Sequence, residues 1–347
     1  MSTKKVAVYF SAGIGDALLL TPLIKILKKD GYHVSGVFTS SFLVHELYEK
    51  IELIDEKIIV INKPRAIWFV GKFFLKKFDL SIVNFFAANK SNLLMASKTS
   101  KNVFTNRIVE FSKIKLKNIS YLEPKNSMHD AEQNILLYTS TYKLIESDFN
   151  LTISNSELPQ INKSIALQIG AGNNKTPFKI WDSDKWYQIL NLIVNDFPDI
   201  KIILIGDKHE TNLLHFSFLK NVTNLIGKTN LKDLPDVIKN TNCFIGSDSG
   251  IMHLAVALGL PTFTIWGASN QYLYSYQKFN SKKHIVLFNE NINCRPCNSW
   301  INQNNSRVQN VNDCPDFKCI KEIETEHVYL KLKLFLKDIY NSNKSPN

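Results

Sequence analysis

Val6–Asp16 reads VAVYFSAGIGD: five apolar residues, a small-residue turn holding Gly13 and Gly15, and then an acid. An unbroken apolar run is what a strand buried on both faces of a parallel sheet needs. A glycine turn lets the backbone bend sharply into the segment that follows. That segment, Asp16–Lys29, has Leu18, Leu19, Leu23 and Ile26 mainly on one side, the pattern of a helix laid on a sheet. Further strands are expected at His33–Phe38, Ile58–Ile61 and Leu80–Val83, and helices near Ser41–Glu49, Ala66–Lys77 and Met128–Ile145. Ser154–Lys163, polar and containing Pro159, reads as a linker. The rhythm then restarts, with strands at Ile165–Ile169, Ile200–Ile205, Cys243–Gly246 and Thr262–Ile265. Between and after them come helical patterns near Ser183–Asn195, Thr211–Phe218, Leu231–Lys239 and Gly250–Leu258. Such alternation implies an α/β fold with doubly wound sheets, and 347 residues suit two domains with a cleft between them. The expected division is residues 1–155, residues 156–323, and a terminal helix within 324–347 that packs back on the first domain.

Charge bounds the partners. The chain carries 42 Lys and Arg against 31 Asp and Glu, a net +11. Of this, +7 lies in residues 1–150, where 21 cations face 14 acids, and an excess of that sign points to an anionic partner. The densest stretch, Lys63–Phe78 (KPRAIWFVGKFFLKKF), interleaves cations with large apolar residues. It reads either as a surface lying on an anionic inner membrane or as a core-facing helix whose lysines extend into solvent. No helix-turn-helix, ribonucleoprotein or zinc-finger pattern accompanies the charge, so nucleic acid is not an expected partner. The first apolar run stops at Ser11, too short for a signal peptide. No stretch approaches the roughly 18 consecutive apolar residues of a spanning helix, so a cytoplasmic protein is expected.

Four stretches carry groups suited to chemistry. Asp16 follows the first strand, at the edge where open α/β sheets bind ligands; the alternative is an acid that only favours the helix dipole. Gly13 and Gly15 permit close approach of a bound group, but the third glycine of a dinucleotide fingerprint would fall at Leu18, which disfavours a nicotinamide oxidoreductase. Gly170-Ala171-Gly172 follows another strand, with Lys175 and Lys179 beyond it. The P-loop pattern is not met, and each lysine reads either as a cation for a departing diphosphate or, taken alone, as a solvated surface residue. Asp182-Ser183-Asp184 spells the acid pair of metal-dependent glycosyltransferases, yet it directly precedes a helical pattern, where Asp182 serves as a cap. Gly246–Ala255 (GSDSGIMHLA) runs from strand through polar turn to helix, and N–H groups of Ser249 and Gly250 at that helix start suit a phosphate. His253, on the first turn, faces either the ligand or a neighbouring strand.

Taken together, GIGDALLLTPLIKIL (13–27), Gly170-Ala171-Gly172 with KIWDSDKWYQIL (179–190), IGDKHE (205–210) and GSDSGIMHLAVALGLPTFTIWG (246–267) resemble the family 9 glycosyltransferases, the ADP-heptose:lipopolysaccharide heptosyltransferases. The resemblance covers nearly the whole chain. It implies a GT-B architecture of two Rossmann-like domains facing a cleft, acceptor on the first and nucleotide-sugar on the second. It implies transfer of a heptose from ADP-heptose to a lipid-linked saccharide acceptor, with inversion and with no cofactor required. Asp16 matches the family's catalytic base, Lys179 its diphosphate-binding lysine, and Glu210 an acid that contacts the ribose. Asp248, Ser249, Gly250 and His253 match the donor-binding turn. Alternatives are a transferase that glycosylates a protein or another glycan, and a nucleotide-sugar-binding protein without turnover.

Cys294, Cys297, Cys314 and Cys319 cluster in the sequence, while Cys243 lies in an expected strand. In a cytoplasmic protein four such thiols read either as ligands of a small structural metal site or as reduced thiols that only pack.

Overall fold

Each half of the chain builds a six-stranded, all-parallel sheet. The computed structural model describes residues 3–39, 44–60, 75–110, 116–125, 127–154, 159, 161–171, 176–210, 220–297 and 311–342. The chain divides into two compact units, Met1–Asn155 and Ser156–Asn347.

In the first unit the strands are β1 (Lys4–Phe10), β2 (Tyr32–Phe38), β3 (Glu56–Ile59), β4 (Phe78–Val83), β5 (Ser100–Thr105) and β6 (Ile119–Tyr121), in the order β3-β2-β1-β4-β5-β6. Val6, Ala7, Val8 and Tyr9 of the central strand are wholly buried, as a strand covered on both faces must be. Between β1 and β4 the winding reverses, and the carboxyl ends of strands at such a switch point are where this fold places ligands.

The second unit repeats the plan. Its strands β7 (Ser164–Gln168), β8 (Lys201–Leu204), β9 (Val222–Asn224), β10 (Cys243–Ser247), β11 (Thr262–Trp266) and β12 (His284–Phe288) lie in the order β12-β11-β10-β7-β8-β9, which puts the switch point between β7 and β10. Trp181, Trp186, Ile189, Ile193, Ile202, Ile245 and Phe263 form its core. Two Rossmann-like domains in one chain make the fold expected from the sequence.

Several elements differ from expectation. The single helix expected over Asp16–Lys29 is two, α1 (Ile14–Leu18) and α2 (Thr21–Lys29). Pro22 has no N–H to give the Leu18 carbonyl, so the chain must restart there. After α3 (Val44–Leu47) and α4 (Lys90–Thr99), the helix expected over Met128–Ile145 is only α5 (Asp130–Leu136). Thr139, Ser140 and Thr141, which compete for backbone hydrogen bonds, follow its end. In the second unit α6 (Ser183–Asp196), α7 (Leu234–Lys239), α8 (Gly250–Ala257), α9 (Gln271–Tyr274), α10 (Lys318–Lys321) and α11 (Thr325–Ser342) complete the described helices. The terminal helix, expected to return to the first domain, puts Val328, Leu332, Phe335 and Leu336 into the core of the second unit and packs on α6. The helix read over Thr211–Phe218 lies outside the described residues, as do the first three residues of that read over Ser41–Glu49, most of that read over Ala66–Lys77 and most of the basic stretch Lys63–Phe78. Among the described residues no helix is long and apolar enough to cross a membrane.

Candidate active site

The first switch point holds Asp16. Buried β1 ends at Phe10, and the chain turns through Ser11–Gly13 into α1, whose first turn carries the acid. Ser11 Oγ donates to Asp16 Oδ2 at 2.9 Å and accepts the Gly13 N–H at 3.3 Å, so the carboxylate folds back over its own turn. Gly13 is glycine for that reason: a Cβ there would stand 2.5 Å from Asp16 Oδ2. The α1 segment is held from outside by Tyr48, whose hydroxyl donates to the Ala17 carbonyl at 3.1 Å, and by Asn134 of α5, whose Nδ2 donates to the Leu19 carbonyl at 3.3 Å. Asp16, Gly13 and Gly15 thus share one edge, and the half-buried carboxylate is positioned rather than loose.

A second group of residues meets at the switch point between β7 and β10. Ser247 Oγ donates to the Gly170 carbonyl at 3.1 Å, joining the ends of the two strands. The Glu210 carboxylate lies across Gly170 and Gly206: a Cβ on Gly170 would be 1.8 Å from Glu210 Oε1, and one on Gly206 2.2 Å from Oε2. The Asp207 N–H holds Glu210 Oε2 at 2.9 Å. These glycines therefore make room for an acid rather than for a tight turn.

One residue beyond β10, Asp248 is buried and pairs with Lys179 Nζ at 2.7 Å. Burial pushes its carboxyl up, but the charge and hydrogen bond of Lys179, with Ser269, outweigh that and hold Asp248 below the ordinary carboxylate range. Ser249 caps α8, accepting the Met252 N–H at 3.3 Å while donating to Gln168 Oε1 at 2.5 Å. His253 Nδ1 shares a hydrogen bond with Tyr276 Oη at 2.8 Å. Burial pushes this imidazole down to about 4 against the opposing pull of Asp248, so His253 is neutral at physiological pH.

Lys179 closes a 3-10 turn, Pro177–Lys179, that docks through Phe178. Gly267 leaves space for it, since a Cβ there would lie 1.9 Å from the Phe178 carbonyl oxygen. Behind that contact stands Arg295, buried, donating to the carbonyls of Gly267 at 3.0 Å and Ser269 at 3.2 Å and to Gln271 Oε1 at 3.0 Å. Gln168, Ser269, Tyr276 and Arg295 were not legible as site residues, because each acts through a partner distant in sequence. Lys175 lies outside the described residues. Asp182 is a cap, its Oδ1 accepting the N–H groups of Asp184 and Lys185 at 2.8 and 3.1 Å.

All four clustered cysteines are free thiols. Cys297 and Cys319 pack with Phe178, Ala268 and Val311, and the Cys297 N–H donates to the Ala268 carbonyl at 2.7 Å. Burial pushes the Cys319 thiol up to about 11, with Arg295 opposing and Cys314, Cys294 and Cys297 adding to the rise. Among the described residues no three His, Cys, Asp or Glu side chains stand together as a metal-holding set.

Residues 128–306, just over half of the chain, match the sequence profile of glycosyltransferase family 9 (heptosyltransferase). The chain belongs to that family. As a family 9 glycosyltransferase it is similar to lipooligosaccharide heptosyltransferase 2 of Campylobacter jejuni, 26% identical over 347 residues that cover 96% of this chain and 99% of the relative. Its fold matches the family 9 glycosyltransferase of Veillonella parvula, TM-score 0.72 at 20% identity over 96% of this chain and 97% of the other. It also matches E. coli ADP-heptose LPS heptosyltransferase II, TM-score 0.68 at 16% identity over 96% of this chain and 99% of that one. These likenesses establish GT-B as the fold, while the roles of individual residues rest on the geometry above.

Proposed function

We propose that this glycosyltransferase moves a heptose from ADP-heptose to a lipopolysaccharide or lipooligosaccharide core acceptor, by direct displacement with inversion and with Asp16 as general base. The observation that carries the reading is the Lys179–Asp248 pair beside the N-terminus of α8, a cation held by a buried carboxylate next to the main-chain N–H groups of a helix start. A departing nucleoside diphosphate gains negative charge at its bridging oxygen, and preorganised donors of this kind stabilise it. Asp248 keeps Lys179 in place within the donor-binding turn, Glu210 offers acceptor oxygens to a ribose, and neutral His253 offers a hydrogen bond without adding charge. Asp16 takes the acceptor hydroxyl proton as that oxygen attacks the anomeric carbon. The cation and amides already present supply charge stabilisation for the diphosphate, which supports transfer without a bound metal. The names of the relatives support the choice of heptose, ADP and core acceptor. A lipid-linked acceptor places the work at the cytoplasmic face of the inner membrane, and the basic stretch Lys63–Phe78 supports peripheral contact with anionic lipid there.

The test has two arms. ADP-heptose must raise the melting temperature above the shift from UDP-, GDP- or CMP-linked sugars, because only a ligand of the folded state stabilises it. Asp16→Asn must keep that shift and lose transfer. Preference for another donor overturns the substrate assignment, turnover by Asp16→Asn overturns the base, and binding without turnover in the wild type leaves a nucleotide-sugar-binding protein.

A further inference from the structure

Beside Asp16 the first unit buries a second carboxyl that the proposed reaction leaves unused. Asp130 opens α5 and is 3% exposed. Its Oδ2 accepts from Asn134 Nδ2 at 3.2 Å, and the same amide group reaches the carbonyl of Leu19, the residue that ends α1. One side chain therefore ties Asp130 to the short helix that carries Asp16. The surrounding titratable groups are committed elsewhere. Glu132 takes the His129 N–H at 3.0 Å, and His129 Nδ1 takes the Ala131 N–H at 3.3 Å. Lys25 of α2 is turned to the carbonyls of Ser147 and Asn150, and the Tyr48 hydroxyl is on Ala17. The charge that reaches Asp130 is that of Asp16: burial first, and then this charge, push the Asp130 carboxyl up to about 7.

We propose that Asp130 is a positioning residue for the transfer: tied to the Asp16 helix through Asn134, its carboxylate holds a second negative charge against Asp16 and makes Asp16 a stronger base toward the acceptor hydroxyl. This rests on Asp16 being the base. In the step itself the acceptor O–H proton passes to a carboxylate oxygen of Asp16. The oxygen's electron pair forms the new bond to the anomeric carbon, and the bond to the diphosphate oxygen breaks with its pair leaving on the nucleoside diphosphate. Two carboxylates held close resist ionising together, so whichever is ionised raises the proton affinity of the other. Taking up the acceptor proton relieves that repulsion, which is a gain made only as the reaction proceeds. The pair titrates as a unit, and its second ionisation belongs to both members.

The experiment is the pH profile of kcat/KM for wild type, Asp130→Asn, Asn134→Ala and Asp16→Asn, with donor affinity and thermal melting measured on each. Wild type gains activity through a step centred near pH 7, where the second ionisation of the Asp16–Asp130 pair falls. Asp130→Asn, which keeps the hydrogen-bond acceptor but not the charge, lacks that step and stays on the low-pH plateau, roughly 3- to 10-fold below wild type at pH 8, with unchanged donor affinity. In Asn134→Ala the hydrogen bond favouring ionised Asp130 is gone, so the step moves to higher pH, and this readout decides the matter if Asp130→Asn does not fold. An Asp130→Asn profile that keeps the wild-type step, or an Asn134→Ala step that stays put, overturns the proposal while an inactive Asp16→Asn leaves the base intact. A fully active Asp16→Asn removes the base and this inference with it.

Discussion

Replacing Lys179 by Met strands a buried charge. The pair is close, 2.7 Å, and unequal in exposure, with the Lys179 side chain 20% exposed and that of Asp248 5%. Removing the cation leaves a carboxylate in the interior without its main compensation, which costs about 3–5 kcal/mol. Asp248→Asn instead leaves an ammonium that can still turn toward solvent, so it costs less, about 1–2 kcal/mol. In Lys179→Met/Asp248→Asn no charge is stranded, and the double variant recovers about 1–3 kcal/mol relative to the sum of the singles. The sign with pH follows from Asp248, whose folded value lies below the ordinary one. The stability it contributes is present above the unfolded value, near pH 4, and fades as pH falls through the folded value. Urea unfolding of the four proteins at pH 7.5 and pH 3.5 is the assay, and the gap between wild type and Lys179→Met must shrink at the lower pH. A Lys179→Met protein within 1 kcal/mol of wild type at pH 7.5, or a gap indifferent to pH, would refute the claim that this pair is a buried, preorganised cation mount. Titration with ADP gives the functional side: loss of one charge-assisted hydrogen bond, about 1.5–3 kcal/mol, weakens binding roughly 10- to 150-fold.

The remaining predictions use single groups. Gly170→Ala puts a Cβ where the Glu210 carboxylate lies, so it loses about 1–3 kcal/mol of stability and most nucleotide affinity. Adding Glu210→Ala restores the stability but not the affinity, and denaturant melts with nucleotide titration check both. Gly13→Ala crowds Asp16 Oδ2 in the same manner; transfer falls at least as far as the roughly 100-fold a misplaced base costs, while donor-induced thermal shifts remain. For the cysteines, the packing of Cys297 and Cys319 among Phe178, Ala268 and Val311 predicts no stoichiometric zinc or iron in purified protein, with all five thiols of the chain reacting with a thiol reagent after unfolding. Elemental analysis finding one metal per chain would reverse that reading in favour of a structural ion.

Strands β1, β7 and β10 were readable because both of their faces are buried, so their sequences are apolar runs that end in a small or polar turn. The strands that went unread are β5, β6, β9 and β12, of which β6, β9 and β12 lie at sheet edges. β6 and β9 are three residues long with no buried residue, and β5 opens with Ser100, Lys101 and Asn102, so neither periodicity nor composition marks them. The same distinction governs the site. Asp16 and Lys179 could be named from local order, since each follows a readable strand at the edge where ligands bind, whereas Glu210 and Asp248 are named only by the family resemblance. What holds them could not: Gln168 meets Ser249 across 81 residues, Asn134 meets Leu19 across 115, and Arg295 reaches Gly267 across 28. Such partners are chosen by the sheet order, which brings strand ends together only after the chain has wound twice. The glycines make the point most directly. Their motif spacing points to turns and phosphate, whereas in the folded chain Gly170 and Gly206 are vacant of side chain so that Glu210 can lie over them, and Gly13 so that Asp16 can. A glycine in a sequence marks a need for space, and only the fold says which side chain occupies it.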